Sequence, residues 1–280
     1  MRHRYMTVAF LALALAACGI GNNRDMEPGT GDAVASVADG ISRCAAAEGL
    51  TLYGITDREG MQATDLFRGY DDRLLDSIAA DQGGFRSAFN VFVAQNEGRI
   101  VLFDAGLGQQ AGGTLVAKLK TMGLTPDAIG DICLTHLHFD HIGGLVHEGK
   151  AVFPNATLHL DRRECAAWAD DARWQQVLAA YDGRVQTFAA DTALFNGLVQ
   201  TRQAYGHTPG HTLYEVGNCL IVGDLLHAQD LQLSHPDFCS HYDADHNQAR
   251  AVRKQTYRRL RESGQYLCGA HCYDHFIDLQ

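Results

Sequence analysis

The sequence predicts a mixed α/β domain in which two β-sheets are sandwiched between helical layers. Three observations carry that expectation. β-forming runs are grouped at the front of the chain, and strand-like and helix-like runs then alternate. The 280-residue chain also has the apolar content of an ordinary globular protein with a substantial core, and no internal repeat interrupts it.

The chain starts with a segment set apart from the fold. "MRHRYMTVAFLALALAAC" has a basic start (Arg2, Arg4), an apolar run from Val8 to Ala17 and a small-residue end. That is the pattern of a secretory signal, too short for a comfortable membrane span. Leu15-Ala16-Ala17-Cys18 resembles a bacterial lipobox. The expectation is a leader over residues 1–17, lipidation of Cys18, and a protein anchored in a membrane facing the periplasm. A plainly cleaved signal with a periplasmic or secreted product is the alternative. Residues 18–48, with few large apolar groups, read as a flexible tether, and residues 49–280 as the folded domain.

Within that domain "TLYGIT" (51–56), "SAFNVFVA" (87–94) and "RIVLFDAG" (99–106) are strand candidates, the last two joined by an Asn96-Glu97-Gly98 turn. "GGTLVAKLKTMG" (112–123) has helical apolar spacing and a glycine stop. "IGDICLTH" and "ATLHL" (156–160) are strands, the second followed by a helix through Trp168. "GLVQTRQAY", "TLYEVG" and "NCLIVGD" supply three more strands. "NQARAVRKQTYRRLRESG" (247–264) is a helix ended by Gly264, and "QYLCGAH" a last strand.

Lys and Arg total 23 against 33 Asp and Glu, a formal charge of −10. An acidic chain without a long basic block argues against nucleic acid as a partner. "RKQTYRR" (253–259), the one dense basic segment, reads as a solvated helix face. Eight cysteines are present; lipidation of Cys18 leaves seven, and an odd number in an oxidising compartment leaves a thiol unpaired. A Cys239–Cys272 disulfide is one pairing among many that the sequence allows.

The densest chemistry is "LTHLHFDHIGG" (134–144). His136 and His138 share one face of an extended segment leaving a strand, so their imidazoles converge. Asp140 and His141 follow at the start of a short helix. Imidazole nitrogens and carboxylate oxygens suit zinc and similar divalent ions. Later strand ends and loops supply more: His207 and His211 in "GHTPGHT", Asp224 in "LIVGDLLH", His271 in "LCGAHC". Packing explains an aspartate at the end of a buried apolar strand poorly, because an unpaired buried carboxylate is costly. A ligand bridging two cations explains it, and a turn aspartate is the plain alternative.

Five motifs in order, "LFDAG" (102–106), "THLHFDH", "GHTPGH", "GD" (223–224) and "GAH" (269–271), resemble the metallo-β-lactamase superfamily over roughly residues 50–280. The resemblance implies a four-layer αββα sandwich with two zinc ions at one edge of the sheets. It implies that His136, His138 and His207 hold one zinc, that Asp140, His141 and His271 hold the other, and that Asp224 bridges them. Asp104, His211 and His227 would stand behind the ligands and orient them. Such a centre activates a shared water, so a metal-bridging hydroxide would attack a carbonyl or phosphorus, with Asp140 and Asp224 as the catalytic carboxylates. The motif order is similar to methyl parathion hydrolase-like and lactonase-like members. That implies a small-molecule substrate with an ester, lactone or phosphotriester bond, and leaves a homodimer open. Phe139 and Trp168 are candidates for the pocket lining, with core packing as the alternative, as for Trp174. The chain departs from these relatives after "GAH": it ends in "CYDHFIDLQ", which places His275 where it is expected to crowd the site. His235, His241 and His246 read as loop groups, and Asp243 and Asp245 as caps of the following helix. Two rivals remain, a mononuclear iron dioxygenase on the same fold and a non-catalytic zinc-binding lipoprotein.

Overall fold

A computed structural model describes residues 33–79, 83–189 and 191–280. The expected leader and Cys18 lie outside the described residues. Among the described residues, no helix is long and apolar enough to cross a membrane.

The strands are β1 (Val34–Ala38), β2 (Ile41–Ala47), β3 (Leu50–Gln62), β4 (Phe85–Asn96), β5 (Arg99–Phe103), β6 (Asp131–Cys133), β7 (Val146–His147), β8 (Lys150–Ala151), β9 (Thr157–Asp161), β10 (Val185–Phe188), β11 (Ala193–Leu194), β12 (Val199–Gln203), β13 (Thr212–Val216), β14 (Cys219–Gly223) and β15 (Tyr266–Gly269). The α-helices are α1 (Asp72–Ala79), α2 (Leu115–Thr121), α3 (Phe139–Ile142), α4 (Arg162–Ala167), α5 (Ala172–Ala180), α6 (Gln229–Ser234) and α7 (His246–Ser263). One sheet runs β1-β2-β3-β4-β5-β6-β9-β10 and the other β11-β12-β13-β14-β15. The first is antiparallel up to β5 and parallel from β5 through β10; in the second only β14 and β15 are parallel.

Side-chain alternation assigns the layers. Val91 and Val93 face α2 and α5, meeting Leu115, Leu119, Trp174 and Val177. Phe92 and Ala94 face the other way, joining Phe103, Tyr214, Val216 and Ile221 between the sheets. Leu220 and Val222 cover the outer face of the second sheet, against Tyr257 and Leu260 of α7. Both faces of β14 and of the inner end of β5 are therefore buried, which is why "IVLF" and "CLIV" read as unbroken apolar runs. Truncating Phe103, which has no exposure, would cost about 3–5 kcal/mol. The observed order of layers is the αββα sandwich.

Three expectations need correction. The tether expected over residues 18–48 does not include Val34–Ala47, because β1 and β2 form a hairpin that extends the first sheet. Its residues are mostly small, so its order comes from pairing with β3 and from burial of Ile41, Cys44 and Ala46 rather than from a visible apolar pattern. The basic segment of α7 is not wholly a solvated face. Arg253 is fully buried and donates to the carbonyls of Leu225, Pro236 and Phe238. All seven described cysteines are free thiols, so Cys239 and Cys272 are not paired. Helices α1, α5 and α6, not anticipated from the sequence, complete the outer layers.

Candidate metal centre

The parallel pairs explain where the functional groups gather. Strands β5 and β6 end at the same edge, as do β14 and β15. Asp104 follows β5, His136 and His138 follow β6, Asp224 follows β14 and His271 follows β15. The loop from β12 to β13 brings His207 and His211 to that edge.

Two groups of potential ligands result. The first is His136, His138, His207 and Asp224; the second is Asp140, His141, Asp224 and His271. In the first group His136 Nε2 lies 3.0 Å from His138 Nδ1 and 3.2 Å from His207 Nε2, and the last two are 3.0 Å apart. Neutral nitrogens at this spacing fit the corners of a tetrahedron around an ion with bonds of about 2.0–2.1 Å. In the second group His141 Nε2 and His271 Nε2 stand 3.0 and 3.3 Å from Asp224 Oδ1, and His271 Nε2 is 3.3 Å from Asp140 Oδ2. Asp224 Oδ2 faces His207 at 3.3 Å and His136 at 3.6 Å. Asp224 thus belongs to both groups.

In His136, His141, His207 and His271 the other ring nitrogen has a neighbour that fixes the imidazole's orientation. His141 Nδ1 donates to Asp104 at 2.8 Å and His207 Nδ1 to Asp243 at 2.9 Å. His271 Nδ1 donates to the Ala88 carbonyl at 3.0 Å. The Thr135 hydroxyl lies 3.0 Å from His136 Nδ1 and donates to Asp104 at 2.8 Å. Asp104 adopts a left-handed φ of +60°, a conformation aspartate tolerates better than most residues, and its carboxylate also accepts from Thr135 N. His211 is held between the Ala204 carbonyl and the Asp224 amide, so it orients the end of β14 and joins neither ligand group. Gly223 makes room there. At φ +49°, a Cβ on it would sit 2.7 Å from His211 Nε2.

Imidazoles and carboxylates share the charge of the buried centre. Burial opposes ionisation of Asp224, yet His271, His141 and His136 around it hold its carboxyl well below the usual range. Burial pulls His271 down, but Asp224 and Asp140 outweigh it and push it up to about 10. His141 and His207 are raised by the same contest between burial and neighbouring carboxylates. Burial lowers His138 to about 4, leaving a neutral imidazole lone pair. His141 Nε2 and Asp224 Oδ1 are buried and have no hydrogen-bond partner, as do both ring nitrogens of His227. Unpartnered donors and carboxylates aimed at one another are a site that divalent cations fit.

The surroundings differ in part from expectation. His227 lies beside Asp224, with Nε2 3.2 Å from Asp224 Oδ2, stacked on His271. Trp168 sets its ring edge-to-face against His138 at 5.3 Å, whereas Phe139 packs under Arg173. Trp174 is core. Phe89 against His271 and Tyr242 against His227 are aromatic neighbours that sequence reasoning missed. His275 does not crowd the site. It turns away, with Nδ1 2.5 Å from Ser42 Oγ and Nε2 2.9 Å from Thr56 Oγ1. Asp245 caps α7, but Asp243 does not. It accepts from His207 and lies 3.4 Å from Arg253. No local pattern signals Asp243, because its partner is 36 positions away.

An αββα sandwich with two histidine–carboxylate groups at one sheet edge defines a metal-dependent hydrolase. The sequence profile described as "Metallo-beta-lactamase superfamily" matches residues 85–260, and the chain belongs to that superfamily. Among solved structures the chain is similar to AidC, a dizinc quorum-quenching lactonase in complex with its product (26% identity, TM-score 0.74, covering 85% of this chain and 93% of that one). It is similar in fold to AbOPH, a hydrolase in the beta-lactamase superfamily (23% identity, TM-score 0.75, 83% and 90% covered). A probable metal-dependent hydrolase from Staphylococcus aureus shares the fold at 18% identity, with a TM-score of 0.69 and 80% and 89% covered. No curated protein matches the chain's sequence at a significant level.

Proposed function

We propose that the protein is a dizinc hydrolase that opens a lactone or ester bond of a small molecule. The observation that carries this reading is the position of Asp224, which belongs to both ligand groups, with His141 3.0 Å from one oxygen and His207 3.3 Å from the other. His136, His138 and His207 would hold one ion, Asp140, His141 and His271 the other, and Asp224 would touch both. Two bound cations supply Lewis acidity and lower the pKa of a shared water.

The chain's own groups do the rest. Asp104 and Asp243 keep His141 and His207 in the tautomer that exposes Nε2. Asp140, the least buried of the ligand carboxylates, is placed to carry a proton between the site and solvent. His227, with Nε2 3.2 Å from Asp224 Oδ2 and its ring stacked on His271, braces both side chains from behind. Trp168, Phe89 and Tyr242 offer apolar surface around the ligands for an acyl or aryl group. The likeness to a dizinc lactonase supports the lactone among the expected bonds. Export and lipid attachment at Cys18 complete the reading, supported by the residues of the leader.

The test is metal content together with a panel of acylated lactones, aryl esters and a phosphotriester. Two zinc ions per chain and chelator-sensitive lactone or ester hydrolysis are expected. One iron with no hydrolysis would transfer the chain to the dioxygenases, and variable zinc with no turnover would make it a binding protein.

A further inference from the structure

Glu164 sits in the first turn of α4, fully buried, and its carboxylate does not serve its own helix; Asp161 caps α4 by accepting from Arg163 N. It reaches outward to two loops instead. Oε1 accepts from Leu137 N at 3.0 Å, between His136 and His138. Oε2 accepts from the Thr208 hydroxyl at 2.7 Å and from Gly210 N at 2.8 Å, in the loop that carries His207. The second loop lies directly on α4. A Cβ at Gly210 would come within 2.2 Å of Glu164 N, so no larger residue allows this approach. The same helix ends at Trp168, whose ring abuts His138.

We propose that Glu164 is a positioning residue that locks these two loops together and so presets His136, His138 and His207 for one ion. The inference rests on the metal-centre reading above. Residues 137 and 208 adjoin ligands, so a loop shift of about 1 Å would spoil the convergence of three nitrogens that now lie within 3.2 Å of one another. A carboxylate suits the task because it only accepts, and three donors meet it here. A glutamine would turn an amide N–H₂ towards at least one of those donors. Asp140, His141 and His271 receive no bond from Glu164, so the effect should fall on one of the two sites.

The experiment uses the full chain freed of metal, with Glu164→Gln and, as a milder change, Thr208→Val. Cobalt and zinc are titrated in competition with a chromophoric chelator, and unfolding of the metal-free proteins is followed in parallel. The expected result for Glu164→Gln is a loss of about 10–100-fold in affinity at one site, with the other changed much less. Thr208→Val should move the same site by a smaller factor, and it carries the test if Glu164→Gln does not fold. Wild-type affinity at both sites in a less stable Glu164→Gln protein would reduce Glu164 to a structural role and leave the metal-centre reading intact. A wild-type chain that binds no metal would overturn both.

Discussion

Asp243 accepts a hydrogen bond from His207 Nδ1 at 2.9 Å, although the two lie 36 positions apart in the chain. Arg253 of α7 stands 3.4 Å from the other oxygen of Asp243, and all three side chains are buried. A helix on the outside of the second sheet thereby reaches the metal centre through one carboxylate.

Asp243→Ala is therefore expected to weaken metal binding at the His136–His138–His207 group by about 10–100-fold. It also leaves Arg253 without its carboxylate, so the melting temperature should fall too. The check is a metal-competition titration on the variant; unchanged affinity would mean that Asp243 serves only α7.

Loading the centre should release protons. Without cations, Asp224 and its neighbouring carboxylates raise His271 to about 10 and His141 well above its ordinary value, so these two carry protons at pH 7. Each must lose its proton to offer Nε2 to an ion. Calorimetric titration of zinc into the metal-free chain at pH 7, in buffers of different ionisation enthalpy, should show release of at least one proton per chain. The release should fade above about pH 10, and affinity should weaken as the pH falls. Zinc uptake with no proton release at pH 7 would contradict this account of the charge balance.

His275 gives stability a separate pH dependence. Burial, and secondarily Lys118, lower it from 6.5 to about 4. Its folded pKa lies below its unfolded one, so the unfolded chain binds more protons between these values. The stabilisation is complete above about pH 6.5 and is lost as the pH falls towards 4. The loss is on the order of 3 kcal/mol. Chelated wild-type protein and His275→Gln should differ in the slope of unfolding free energy over that window, and parallel slopes would rule the contribution out.

Cys18→Ala tests the leader. Expressed in a bacterium, the wild-type chain should appear in the membrane fraction with a lipid-modified N-terminal cysteine by mass spectrometry. The variant should be released into the soluble fraction. Equal partitioning of the two would count against lipidation.

Much of the fold was legible because both of its periodicities are local. The strand alternation at Phe92 and Val93 and the glycine stop after α7 are read from neighbours in the chain. The candidate ligands were legible because histidines and aspartates gathered at strand ends are poorly explained by packing. What stayed hidden lacks a local signal. The β1–β2 hairpin is built from small residues that gain order only by pairing with β3. His275 looked close to the candidate metal centre because it follows His271 by four positions, but the chain turns and hands it to Ser42.

The sequence by itself pointed to two sheets between helical layers, to the strand ends and to the candidate ligands, since hydrophobic period and donor chemistry belong to each residue and the five motifs are local. Only the tertiary structure decided which groups stand behind the ligands. Asp243 at His207, Ala88 at His271 and Glu164 between two loops are pairings across 36, 183, 27 and 44 positions. A buried carbonyl or carboxylate takes whichever donor packing brings within about 3 Å, and packing is a property of the whole chain.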